Sequence, residues 1–521
     1  MPRGTTVMEV MPPMQGARFD LPPHKVGPDM LVSGSYNVFC DPTNILRARR
    51  GFTQLLPVGP TKPITGGVSW EGVGGTIYTI VADTNNWWRF TSATPNVWLP
   101  LHNPAPVGPD DFTVFANIAV SGVDNLYGVN NGSGGLLQWI AGNNFITTIT
   151  GLPFTAALGC FILANRLVVF GTTEGGVLYP HRVRWSQIND PTTFLNASLA
   201  DLGDSGGNIK AGMRLGNLQA NFYLGDTQGT GTIQTMIAQV GTDANAFSFQ
   251  EYALGEGVVP PASVAALIAV QGLQYYLGVD GHIWSFDGIN PQNFGIQIQS
   301  DIQQNANMQH LKRSFAVYDP DDRHMRFFFP SGTSAYPDRC VYYQPDFQRW
   351  EAPAAYAIPF RSGFTGPLNS NTEETSFLGG VNVGGLFQLD EGPTDNGIPI
   401  QFSAVWGATN TNPREEMAVQ FAEAFIQQVV QTDQVSLIIS GLRNPFDVAV
   451  GGAAFIMNLS QATQFQQLAA PGVDFASNTY FNFLQVSLQG VVSGTLACLG
   501  AYVHVSVMQK GVYDLKGRGP E

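Results

Sequence analysis

The sequence predicts an all-β chain: a β-propeller of six to eight blades, with seven as the expected count, followed by a C-terminal β-sandwich-like domain. Three observations lead there. Charged residues make up only 12% of the chain and hydrophobic ones 44%, while 59 Gly and 34 Pro together are 93 of 521, about 18%. That balance suits many short strands and turns, and it is too apolar for disorder. An aromatic strand signal recurs about every fifty residues. Near residue 395 this rhythm gives way to longer, alternating runs.

The clearest copy of the repeat is 275–288, YYLGVDGHIWSFDG, in which two β-runs flank Asp280-Gly281. Such a dipeptide favours a hairpin turn because the turn needs positive φ at its centre. Comparable strand centres lie at Tyr78, Tyr127, Val168, Phe222, Tyr275, Phe328 and Leu378, with intervals of 49, 41, 54, 53, 53 and 50 residues. Most are followed by a second run, as in NNWWRF (85–90), LLQWI (136–140), RVRWS (182–186), HIWSF (282–286), CVYYQ (340–344) and LFQLD (386–390). The fourth unit lacks a clear second aromatic run, and the third carries a long insertion over 185–215. The period matches four-stranded propeller blades and is too long for helical or leucine-rich repeats. A single four-stranded sheet cannot bury both faces, whereas a closed ring of sheets buries them all and leaves only short edges.

Residues 1–30 contain six prolines and no sustained apolar period, which predicts an extended N-terminal arm. A neighbouring subunit is a candidate for holding it. The propeller is assigned to 31–395 and the sandwich to 396–521, where IQFSAVW, VSLIIS and AYVHVSVM read as half-buried strands. VQFAEAFIQQVV (419–430) also fits an amphipathic helix, but its Val, Ile and Phe content favours a strand.

The net charge of −14 argues against adhesive nucleic-acid binding, which needs cations to replace phosphate counterions. Cys40, Cys160, Cys340 and Cys498 are widely spaced and form no CxxC pair, so they read as reduced, buried thiols and not as a disulfide or zinc framework. No uninterrupted apolar segment suggests a secretory signal or a membrane span.

Several local motifs invite a chemical reading. Gly203-Asp204-Ser205-Gly206-Gly207 looks like the surroundings of a serine-protease nucleophile, but His24, His102 and His181 stand in the wrong contexts for its base. A glycine-rich loop is the simpler reading. Asp319, Asp321, Asp322 and His324 match neither calcium-loop nor zinc spacing and read as a hairpin tip. Asp280, Asp287, Asp390 and Glu391 sit in or beside turns, and no acid–base pair of the glycosidase kind can be nominated among them. No catalytic, metal or cofactor site is therefore expected. Arg47, Arg49 and Arg50 in NILRARRGFTQL are the densest basic cluster, with a solvated turn, inter-subunit salt bridges or DNA phosphates as alternatives.

The order of several segments carries a resemblance: SGSYNVFCDPTNILRARRGFTQL, RVRWSQINDPTTF, GNLQANFYLGDTQGTGTIQ with FSFQEYALGEGVVPPASV, GLQYYLGVDGHIWSFDG, and FAVYDPDDRHMRFFFP with CVYYQPDFQRWEAP. Over roughly residues 30–355 this succession resembles tail nozzle (hub) proteins of short-tailed bacteriophages. The resemblance implies a non-enzymatic virion protein, six copies of which form a ring below the head-to-tail adaptor. It further implies contacts with tail fibres or spikes and with a distal plug or needle, and passage of double-stranded DNA through the lumen during ejection. Localisation would be the phage tail, with the host cytoplasm during assembly. Six copies would carry six times −14, or −84, and a negative lumen would let DNA slide without sticking. The alternative is a carbohydrate-active or carbohydrate-binding propeller, which should show a central pocket with convergent carboxylates and exposed aromatics.

Overall fold

A computed structural model describes residues 3–509 except 56–58, 92–96, 102–107, 109, 133, 204–206, 226–230, 253–257, 321–322, 369–373, 382–384, 409–414, 429–433, 443–451, 459–465, 471–482 and 495. Strands dominate; the one α-helix among the described residues is Gln299–Asn305. The chain divides into two compact units: Phe52–Gln348 with Ala355–Glu391, and Met1–Gly51 with Arg349–Ala354 and Gly392–Glu521.

The first unit is a seven-bladed β-propeller. Its blades are antiparallel sheets whose strands follow in sequence order, beginning with Ile64–Glu71, Ile77–Asp83, Trp87–Thr91 and Val97–Pro100. The innermost strands of the seven blades are Ile64–Glu71, Val114–Val120, Ala156–Leu163, Asn208–Arg214, Leu267–Val270, Phe315–Asp319 and Phe360–Pro367. Each touches the next, and the last touches the first. All seven strand centres expected from the sequence fall on the second strand of a blade, from Tyr78 in Ile77–Asp83 to Leu378 in Glu374–Gly380.

Two details differ from the sequence expectation. The fourth blade does have its third strand, Gly231–Ala238, built on buried Ile233 and Met236 instead of aromatics. The stretch 185–215 is no insertion: it supplies the outer strand of the third blade, Leu199–Asp201, and the inner strand of the fourth, Asn208–Arg214. Both were hidden by the absence of aromatic markers.

Ring closure uses both ends of the unit. Phe52–Gln54 is the outer strand of the seventh blade and pairs antiparallel with Leu386–Leu389, Phe52 opposite Leu389 and Gln54 opposite Phe387. Because this strand precedes the first blade in sequence, opening the ring there would expose unpaired edges on both sides.

Aromatic side chains cement neighbouring blades. Phe161 and Phe170 of the third blade meet Phe222 of the fourth at ring-centroid distances of 5.8 and 5.6 Å. Tyr223 meets Tyr276 of the fifth blade at 4.8 Å, and Trp70 of the first meets Trp139 of the second at 6.2 Å. Each such pair adds about 0.5–1.5 kcal/mol beyond its buried area. Polar closure accompanies them: Gln274 of the fifth blade accepts from Asn221 Nδ2 (2.8 Å) and Tyr223 OH (2.7 Å) of the fourth.

The second unit is a β-sandwich. One sheet runs Val38–Cys40, Leu46–Ala48, Leu496–Gln509, Glu415–Gln428, Gln466–Ala470. The other runs Ile400–Val405, Phe483–Val492, Gln434–Leu442, Gly452–Asn458. A shared core includes Leu46, Phe402, Leu437, Leu488 and Val503. The segment open to a helical reading is the strand Glu415–Gln428. The proline-rich arm is tied to its own chain. Arg3–Val10 pairs antiparallel with Leu496–Gln509, Val10 opposite Ala501, and Met8, Val10, Ala17 and Phe19 enter the sandwich core.

Candidate functional site

The inner strands of the propeller enclose a central space of about 620 Å³, lined from five blades between Val114 and Tyr318. Its walls are largely apolar, with Phe115, Phe161 and Ile268 among them, and among the described lining residues there is no Asp, Glu or His. A second cavity of about 500 Å³ shares Ile162, Arg214 and Asn217 with it. Two first-to-second-strand turns border these cavities, Gln271-Gly272 the first and Ala164-Asn165 the second. Ser121-Gly122, Ala164-Asn165 and Gln271-Gly272 all have positive φ at both positions, the two-residue hairpin geometry that follows strand twist.

The turn carboxylates serve their turns. Asp280 Oδ1 accepts from the His282 amide at 3.0 Å, its Oδ2 accepts from Trp284 Nε1 at 3.2 Å, and His282 Nδ1 lies 3.2 Å from Asp280 Oδ2. The first blade repeats the device: Asp83 Oδ1 accepts from the amides of Asn85 (2.7 Å) and Asn86 (2.6 Å), and Oδ2 from Trp88 Nε1 at 2.8 Å. Asp287 accepts from the amides of Asn290 and Ile289, which holds its carboxyl below the usual range. Asp390 is ion-paired with buried Arg326. Glu391 is exposed, and its carbonyl accepts from Thr53 Oγ1 at 2.9 Å.

Asp319 accepts from Ser376 Oγ at 2.8 Å and stands opposite His324 in the strand register, while Asp321 and Asp322 lie outside the described residues. Among the described residues no group of three or more His, Cys, Asp or Glu is placed to hold a metal ion. Asp204, Ser205, Gly206 and His102 also lie outside the described residues. All four cysteines are free and buried.

The arginine cluster does not act as one patch. Arg49 is buried: its Nη2 and Nη1 lie 2.6 and 2.7 Å from the two oxygens of Asp395, and its Nε donates to Asn37 Oδ1 at 2.8 Å. Arg47, half-exposed, pairs through Nε with Asp41 Oδ2 at 2.5 Å. Burial alone would raise Asp41, but hydrogen bonds from Thr43 and Ile45 and the Arg47 guanidinium outweigh it and hold the carboxyl low. Only Arg50 is exposed. Only Arg47 lies in a strand, Leu46–Ala48; Arg49 and Arg50 follow it, and Arg49 is drawn inward by Asp395 and Asn37. Beside them, Gly51 meets the chain so closely that a Cβ there would lie 1.8 Å from Thr394 O.

A second buried ionic group lies within the sandwich unit. Glu351 is fully buried; its Oε1 accepts from Arg349 Nε at 2.6 Å and its Oε2 from the Cys40 amide at 3.1 Å. Arg349 also donates to the carbonyls of Met14 (3.0 Å) and Cys40. Burial pushes the Glu351 carboxyl up to about 7 against the pull of Arg349. Arg349 and Glu351 are neighbours in sequence, but the Cys40 and Met14 backbone groups that complete their contacts come from the first forty residues.

No protein-family model matches the chain, and no curated protein does. Among solved structures, a chain of the crystal structure of the nidogen/laminin complex is similar at 9% identity, covering 53% of this chain and 93% of that one with a TM-score of 0.33. That likeness carries no functional argument, and the propeller assignment rests on the strand topology. Among the described residues no helix is long and apolar enough to cross a membrane.

Proposed function

We infer that the chain is a structural wall unit of a phage tail nozzle: a homo-oligomeric ring, hexameric by resemblance, attached to the head-to-tail adaptor, through which double-stranded DNA leaves the virion. The observation that carries this reading is the succession of nozzle-like segments along the chain. Those segments are largely propeller strands: GFTQL contains the closing strand Phe52–Gln54, and RVRWS, NFYLG, QYYLG and RFFFP lie in the third to sixth blades.

Physical features support the same reading. A closed ring of seven sheets, cemented by aromatic pairs, makes a rigid building block. The propeller's own central space, at about 620 Å³, is of small-ligand size. A duplex would therefore pass between copies and not along a propeller axis. The net charge of −14 per copy suits a wall that DNA slides past. Fibres or spikes and a distal plug would meet loops or the sandwich unit, and the protein would assemble in the host cytoplasm before its place in the virion. Enzymatic chemistry has no part in this role.

The test is immunogold electron microscopy of purified virions with antibodies against the chain. Label confined to the tail, below the head vertex, is expected. Label on the capsid shell, or absence of the chain from purified particles, would exclude the role.

A further inference from the structure

We propose that the mouth of the propeller's central space binds an acidic sugar, a uronic-acid-type monosaccharide or the end of an acidic glycan, without cleaving it. The inference goes beyond the conduit role and stands on the geometry of the mouth alone.

Arg214 closes the inner strand of the fourth blade and borders both cavities. Four amides line the same two cavities: Asn217 in the turn that follows Arg214 in its own blade, Asn165 and Gln271 from the third and fifth blades, and Asn117 from the second. The side chains of Arg214, Asn117, Asn217 and Gln271 are exposed, and none of the five makes a side-chain hydrogen bond or ion pair among the described residues. Such convergence is uncommon in this unit, where even turn residues such as Asp83 and Asp280 are engaged by their own loops.

The chemistry selects the ligand. One guanidinium with no carboxylate in the described lining asks for one anionic group and offers it a forked, charge-assisted contact. Amides each donate and accept, which matches vicinal hydroxyls. Apolar walls that include Phe161 suit the C–H face of a pyranose, and about 620 Å³ falls in the range of small-ligand pockets. The described lining holds no carboxylate or imidazole and so lacks the pair of acids that glycosidases use, and the proposal is binding alone.

The experiment is isothermal titration of the full chain with glucuronic and galacturonic acids, with glucose and galactose as neutral counterparts and with acetate as the bare anion. A uronic acid should bind at least about tenfold tighter than its neutral sugar and than acetate, as one charge-assisted contact predicts. Arg214→Ala should abolish that preference, and Asn217→Ala should weaken both sugars; both side chains are exposed, so circular dichroism and melting temperature should not change. No binding of either acid, equal binding of acetate, or uronic-acid binding that survives Arg214→Ala would overturn the proposal.

Discussion

Arg49 and Asp395 face each other as a two-pronged ion pair, with Nη1–Oδ1 at 2.7 Å and Nη2–Oδ2 at 2.6 Å, across a sequence separation of 346 residues. Both are almost fully buried. A buried pair is costly to assemble and costlier to break, since removing one partner strands the other charge. Arg49→Ala should therefore lower unfolding stability by about 3–5 kcal/mol. Arg49→Lys should also lose stability, because an ammonium cannot reproduce the fork. Chemical denaturation measures both, and a loss below about 1 kcal/mol for Arg49→Ala would show that the pair is not formed.

The junction of the first two blades has no room for a side chain at Gly66, where a Cβ would lie 2.1 Å from Thr113 O. Gly122, by contrast, has open space around it and only a positive φ of 76°. Gly66→Ala must move backbone and should lower the melting temperature clearly more than Gly122→Ala, whose cost is about 1–2 kcal/mol. Equal shifts would contradict the ring contact between these blades.

Glu351 gives stability a pH signature. Its carboxyl is raised to about 7 in the folded chain, chiefly by burial, above the usual carboxylate value of the unfolded chain. The folded state then holds more protons than the unfolded state between those values, so this group's contribution falls as pH rises from about 4.5 to about 7. The expected effect is about 1–3 kcal/mol, and Glu351→Gln should flatten it. Urea unfolding at pH 5 and pH 7.5 reads the difference; a pH dependence unchanged in the variant would refute the assignment.

The four thiols should be silent in the native protein. All are buried, and burial pushes Cys40 and Cys160 up to about 12. A thiol reagent at pH 8 should titrate none of them natively and all four in denaturant. Rapid native labelling would mean that one of these cores is open.

Much of the fold was legible because the second strand of every blade carries an apolar or aromatic centre, and a fifty-residue spacing between such centres has few structural explanations. What escaped was non-local. Phe52–Gln54 is three residues long, and nothing around it tells that it completes a sheet with Leu386–Leu389. Arg3–Val10 reads as a loose arm until its partner strand near the other end of the chain is known. Arg47, Arg49 and Arg50 formed a patch in sequence and differ in burial, one buried and one half-covered, because the partner that draws Arg49 inward, Asp395, is 346 residues away. The polar lining near Arg214 was invisible for the opposite reason: its members are isolated polar residues spread over four blades.

Electron microscopy of the purified chain tests the conduit reading most directly. Two-dimensional averages should show closed rings, six-fold by expectation, with an open lumen lined mainly by neutral and acidic side chains. A monodisperse monomer at assembly concentrations, or a ring whose lumen is lined mainly by Lys and Arg, would contradict it.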